Sequence, residues 1–120
     1  MGCFSKRMAR TNKLLQSPPY EVENSLRILG ENLRTARLRR NLTIAEAAER
    51  IGTGPRAVAE AEKGNPSTSV AIFAGLLWLF DQASALEQLA DPTTDNEGMT
   101  LESLKRRQIA RKPRGLDSDF

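Results

Sequence analysis

The sequence predicts an all-α fold of five or six short helices with basic tails. Three observations carry this. Leu26, Leu29, Leu33 and Ala36 recur at spacings of three and four, the period of a helix with one buried stripe. Helix start and stop signals crowd the stretch from Asn41 to Asn65, NLTIAEAAERIGTGPRAVAEAEKGN. The run from Ser69 to Phe80, SVAIFAGLLWLF, is apolar nearly all round, as in a helix set deep in a core or at an interface.

The chain of 120 residues has room for one domain plus tails. Residues 1–20 read as a flexible basic arm: Lys6, Arg7, Arg10 and Lys13 come without an acid, and Pro18-Pro19 resists helix. The start Met-Gly-Cys has Lys6 where a myristoylation signal wants Ser or Thr. Residues 21–92 form the main domain. Its first helix runs from Glu21 or Ser25 to Arg40, with Arg34, Arg37, Arg39 and Arg40 crowded at its end. They suit the helix dipole and a solvated face, which does not exclude phosphate contact.

Thr43 followed by Glu46 has the spacing of a capping box, so a second helix spans Ile44 to Ile51. It is expected to bury Ala45, Ala48 and Ile51 and to stop at Gly52. Gly54-Pro55 opens a third helix over Pro55 to Lys63, because proline suits the first helical position. Val58 and Ala61 give it an inner face, and Gly64 ends it. Two short helices joined by a tight turn make a helix-turn-helix, whose second helix enters a DNA major groove.

Asn65-Pro66-Ser67-Thr68 is a turn into the apolar fourth helix. On it Val70, Phe73, Leu77 and Phe80 share one face, and Ile72, Leu76 and Leu79 a second. Trp78 lies on a third line with Ala71 and Gly75, either as an interface anchor or as ordinary core. Twelve residues are too few for a membrane span, which needs about 20. A fifth helix is expected over Asp81 to Ala90, capped by Asp81, with Leu86 and Leu89 facing in. Residues 93–120 form a basic tail, helical from Met99 or Thr100 to about Ile109. Lys105-Arg106-Arg107, Arg111-Lys112 and Arg114 supply its charge. It is either solvated or an arm for DNA backbone or an acidic partner surface.

Composition narrows the chemistry. The net charge of +3 is compatible with nucleic acid. There is no His and one Cys, which removes histidine catalysis, the usual zinc sites and internal disulfides. No nucleophile–base set or Gly-rich phosphate loop is present, so no enzyme, metal or cofactor is expected. The lone Cys suits a reducing cytoplasm.

The order Thr43, Glu46, Ala47-Ala48, Gly52, Val58, Glu62 and Gly64 resembles the XRE (lambda-repressor-like) helix-turn-helix family. The extension GNPSTSVAIFAGLLWLFDQASALEQLADP, from Gly64 to Pro92, resembles its HipB-type branch: antitoxins that pair with HipA-like serine/threonine kinase toxins. The resemblance implies a lambda-repressor-like domain acting as a homodimer on a double-stranded DNA operator. Base contacts would fall to Pro55, Arg56, Ala59 and Glu60. Phosphate contacts would fall to Arg34, Arg37, Arg39, Arg40, Thr43, Lys63 and Asn65. It also pairs Glu62 with a first-helix arginine, Arg37 being the candidate. Trp78, Leu79, Phe80 and Leu86 would meet a second copy or a partner. Ile44 departs from the family, which often has a phosphate-holding Gln there. The implied function is operon autorepression with neutralisation of a HipA-like kinase. The alternatives are a kinase-binding module with reduced DNA reading, or a stand-alone XRE repressor.

Overall fold

The structure, a computed structural model, describes residues 12–111. The expected arm up to residue 11, and the tail from residue 112, lie outside the described residues. All regular elements among the described residues are helices, as the sequence predicts: α1 Lys13–Gln16, α2 Tyr20–Arg39, α3 Ile44–Ile51, α4 Pro55–Glu62, α5 Val70–Leu79, α6 Ser84–Glu87 and α7 Asn96–Arg111. They divide into two units, one ending at Ala83 and the other beginning at Ser84.

In the first unit α4 packs on α2, α3 and α5, and α3 also packs on α5. The α2 stripe falls as expected: Leu33 is buried, and Leu26, Leu29 and Ala36 pack against the core. On α3 the buried pair is Ala47 and Ala48, while Ala45 is exposed. Ala45 therefore leaves the core set expected for this helix, and Ala47 takes its place. On α5 the buried line is Phe73, Leu76 and Phe80. Val70 is 73% exposed, because it projects about a quarter-turn away from that line.

Two glycines let α4 approach α2 closely. A Cβ on Gly30 would lie 2.5 Å from the Glu62 carbonyl oxygen, and one on Gly64 would lie 2.7 Å from Arg27 Cα. Backbone-to-backbone contact of this kind fixes the height and tilt of α4. A short helix of eight residues could not set these by itself.

Helices α2 to α5 end in one pattern. A residue of positive φ follows the last turn at Asn41, Gly52, Gly64 and Asp81. The next N–H reaches back to a carbonyl of the last turn: Leu42 to Arg37, Thr53 to Ala48, Asn65 to Glu60 and Gln82 to Leu77. This satisfies carbonyls that a helix end would leave unpaired. Gly52 and Gly64 were legible as stops. Asp81 corrects the expectation of an N-cap: it closes α5 and opens nothing.

Outside these elements, Asn12 caps the single turn α1 by accepting the Leu14 N–H. In the second unit the expected helix from Asp81 to Ala90 shrinks to the four residues of α6, and Leu89 is 70% exposed instead of facing in. The Asp91 carboxylate accepts the N–H and hydroxyl of Thr93, which turns the chain toward α7. Those bonds, the backbone one first, hold the Asp91 pKa below its usual value. The tail helix α7 is longer than expected at both ends.

Candidate nucleic-acid interface

α4 presents the residues that the sequence singles out for base contact. Val58, Ala61 and Glu62 are buried on its inner side. At 100° per residue the opposite side carries Arg56, Ala59, Glu60 and Lys63. Arg56 and Lys63 are exposed, Ala59 and Glu60 half-buried, and Pro55 is exposed at the first helical position.

The orientation of this face rests on a buried ion pair. Arg37 Nε donates to Glu62 Oε2 at 2.6 Å, its Nη2 to Glu62 Oε1 at 3.0 Å, and its Nη1 to the Leu42 carbonyl at 2.8 Å. Arg37 is 6% exposed and Glu62 9%. The hydrogen bond to Glu62 raises the Arg37 pKa, so the guanidinium stays charged. The pair joins α2 to α4 as expected, and it removes Arg37 from the phosphate contacts: its donors are committed inside the domain.

The remaining arginines of α2 separate by position. Arg40 donates to the Ala36 carbonyl at 2.9 Å and reaches the Phe80 carbonyl at 3.4 Å, with its guanidinium 5.1 Å from the Phe80 ring centroid. It joins α2 to the end of α5, a structural role the sequence did not suggest. Arg34 and Arg39 are exposed and make no ion pair among the described residues. Arg34 shares a helical face with Leu38 and Asn41, spaced four and three residues on, whereas Arg39 projects elsewhere.

Leu38 and Asn41 border a shallow open groove completed by Thr43, Ile44, Ala45 and Pro55. It brings the end of α2 together with the starts of α3 and α4. Thr43 Oγ1 accepts the Glu46 N–H at 3.0 Å, and Glu46 Oε1 accepts the Thr43 N–H at 2.9 Å. The capping box is therefore formed as expected. These bonds, the backbone one first, depress the Glu46 pKa, which places a firm negative charge beside the start of α3. The groove itself is mainly apolar. Leu38 was not singled out in the sequence; Ala45 was, but as core with Ala48 and Ile51, whereas the buried side of α3 centres on Ala47 and Ala48.

Beyond α4, Asn65 Nδ2 donates to Glu60 Oε2 at 2.8 Å, and Asn65 Oδ1 accepts the Ser67 N–H at 2.8 Å. The bond from Asn65 is the main reason the Glu60 pKa is lowered. Glu60, Asn65, Ser67, Thr68 and the start of α5 line a small cavity in which the Thr68 hydroxyl is buried without a partner among the described residues.

Of the expected interface residues, Trp78 is 63% exposed and so lies outside the core of the first unit among the described residues. Leu79 is half-buried, and Leu86 is half-buried in the second unit. Phe80 is 2% exposed and belongs to the core, because the last turn of α5 points it under Arg40. It drops out of the interface set.

Charge is distributed unevenly. Between Tyr20 and Ala83 eight Lys and Arg stand against eight Asp and Glu. No group of three or more His, Cys, Asp or Glu among the described residues is placed to hold a metal ion. No helix among them is long and apolar enough to cross a membrane.

Residues 33–74 match a protein-family model described as helix-turn-helix. The match runs from the second half of α2 into α5 and contains the whole α3–turn–α4 arrangement. The chain thus carries a helix-turn-helix of the kind found in DNA-binding transcription regulators. No curated protein and no solved structure matches it.

Proposed function

We propose that the chain is a sequence-reading repressor that binds a pseudo-palindromic operator as a homodimer, with two copies of α4 about one helical turn of DNA apart, near 34 Å. The observation that carries this is the α4 face itself. Arg56 and Lys63 are free at the surface, while the buried Arg37–Glu62 pair and the Gly30 contact hold the helix to α2. Arg56 is the base reader suited to guanine. Arg34, Arg39, Lys63 and the basic tails supply phosphate contacts, with Thr43 beside the groove. Trp78, with Leu79, is the patch for the second copy. Following the resemblance to HipB-type antitoxins, the operator is that of its own operon, and the chain also restrains a HipA-like kinase.

A second reading is favoured by the groove. Leu38, Ile44, Ala45 and Pro55 line it with apolar side chains, Ile44 standing where the resembled family often has a phosphate-holding Gln, and the unit around them has balanced charge. On that reading kinase binding is the main task and DNA reading is reduced. A hydroxyl-radical footprint on the DNA upstream of the gene separates the two. Two protected patches one turn apart support the dimeric repressor, a single patch contradicts the dimer, and no protection favours the interaction module. Co-purification with a kinase encoded beside the gene tests the antitoxin role; its absence from a stable complex would leave a stand-alone repressor.

A further inference from the structure

We infer that Asn65 is a positioning residue, not a phosphate contact, and that it holds the Glu60 carboxylate for a base amino group, that of cytosine. The inference rests on the DNA reading proposed above and assigns part of its specificity.

Both ends of the Asn65 amide are committed. Oδ1 accepts the Ser67 N–H and Nδ2 donates to Glu60 Oε2, each at 2.8 Å. The two bonds fix which end is which: a flipped amide would set donor against donor and oxygen against carboxylate. The Asn65 backbone is held as well, its N–H on the Glu60 carbonyl at 3.1 Å. One N–H of the Asn65 amide is therefore aimed, in one place, at one carboxylate oxygen.

What that prevents is as informative. Arg56 lies one turn before Glu60 and Lys63 nearly one turn after it, and both charges help to keep Glu60 ionised. Opposite charges four apart on a helix attract, yet Glu60 forms no ion pair within 4.0 Å among the described residues. With Oε2 held by Asn65, the Arg56 guanidinium stays open for guanine, and Glu60 Oε1 stays open as an acceptor. A carboxylate facing DNA is repelled by phosphate and needs a donor on a base edge. Of the two amino groups in the major groove, that of adenine stands beside the N7 acceptor, which repels a carboxylate, so the cytosine amino group is the donor that fits.

The test is selection of bound sequences from a randomised duplex pool by the full chain and two variants. The wild-type pool should show a guanine and a cytosine preference in each half-site. Asn65→Ala should keep the guanine and lose about tenfold of the cytosine preference. Glu60→Gln keeps an acceptor for Asn65 and should move the same position from cytosine to adenine, the partner of an amide side chain. Should Asn65→Ala unfold the chain, Glu60→Gln decides alone. Two results overturn the proposal. One is a uniform loss in Asn65→Ala across all sequences, with the salt slope shallower by about one phosphate contact. The other is an unchanged preference in Glu60→Gln. A wild-type pool with no enriched sequence removes the DNA reading as well, so the two failures are distinguishable.

Discussion

Arg37 and Glu62 stand 25 residues apart in sequence and share two hydrogen bonds in the core. A buried pair is costly to break, because the survivor is left charged without a partner. Glu62→Ala should lose about 3–5 kcal/mol of stability, while replacing both by apolar residues of similar volume should cost much less. Chemical denaturation of the single and double variants checks this. Arg56 makes the opposite case: free at the surface, it should matter to DNA and little to folding. Arg56→Ala should relax base preference by about 1–3 kcal/mol while non-specific binding changes less; an equal loss on all duplexes would remove it as a base reader. Two hydrogen-bonded carboxylates, Glu46 in its capping box and Glu60 beside Asn65, contribute to the acid limb of stability. Glu46 and Glu60 have folded pKa values below their usual 4.5. Their contribution is present above that value and is lost as pH falls through the lower folded values. Thermal melts should fall in that acid window, and Glu46→Gln should flatten the fall.

At the scale of elements, the helices themselves were legible, and their ends less so. Thr43, Glu46, Gly52, Pro55 and Gly64 announce α3 and α4 because each has one backbone task. Asn41 and Asp81 do the work of glycine at positive φ with residues that also serve as caps or surface, so sequence alone assigned Asp81 to the wrong helix. Asp81→Gly should stabilise the first unit by about 1 kcal/mol, since it relieves the left-handed penalty at the end of α5. Gly30 carries no signal in sequence. It stands in the middle of α2, where glycine is unfavourable, and its reason appears only when α4 lies against it. Gly30→Ala should cost about 1–3 kcal/mol by overpacking, although alanine is the better helix former. A gain in stability would show that α4 does not approach as closely as described.

Across the whole molecule, the candidate site was legible as far as helical periodicity reaches. The outer face of α4 and the Glu62 partner followed from spacing and resemblance. The commitments of Arg40 and Asn65 did not: Arg40 reaches Phe80 in another segment, and the bonds of Asn65 to Glu60 and Ser67 depend on the turn that follows α4. With charge balanced between Tyr20 and Ala83, the basic tail is the further source of salt dependence beside Arg34, Arg39 and Lys63. Replacing Lys105, Arg106 and Arg107 together by Ala should lower the salt slope by up to about 2.7 if all three meet phosphate. An unchanged slope would leave them merely solvated. The exposed Trp78 makes a parallel claim about assembly: Trp78→Ala should lower the mass seen by light scattering, whereas an unchanged dimer would place the interface elsewhere.

The central claim is that α4 reads sequence. Its most direct test is a titration of the chain against its own upstream DNA and a scrambled duplex at two salt concentrations. A sequence-reading α4 gives a preference of roughly a thousandfold or more that survives moderate salt. Equal, salt-labile binding to both duplexes would contradict it and make the helix-turn-helix a scaffold for a protein partner.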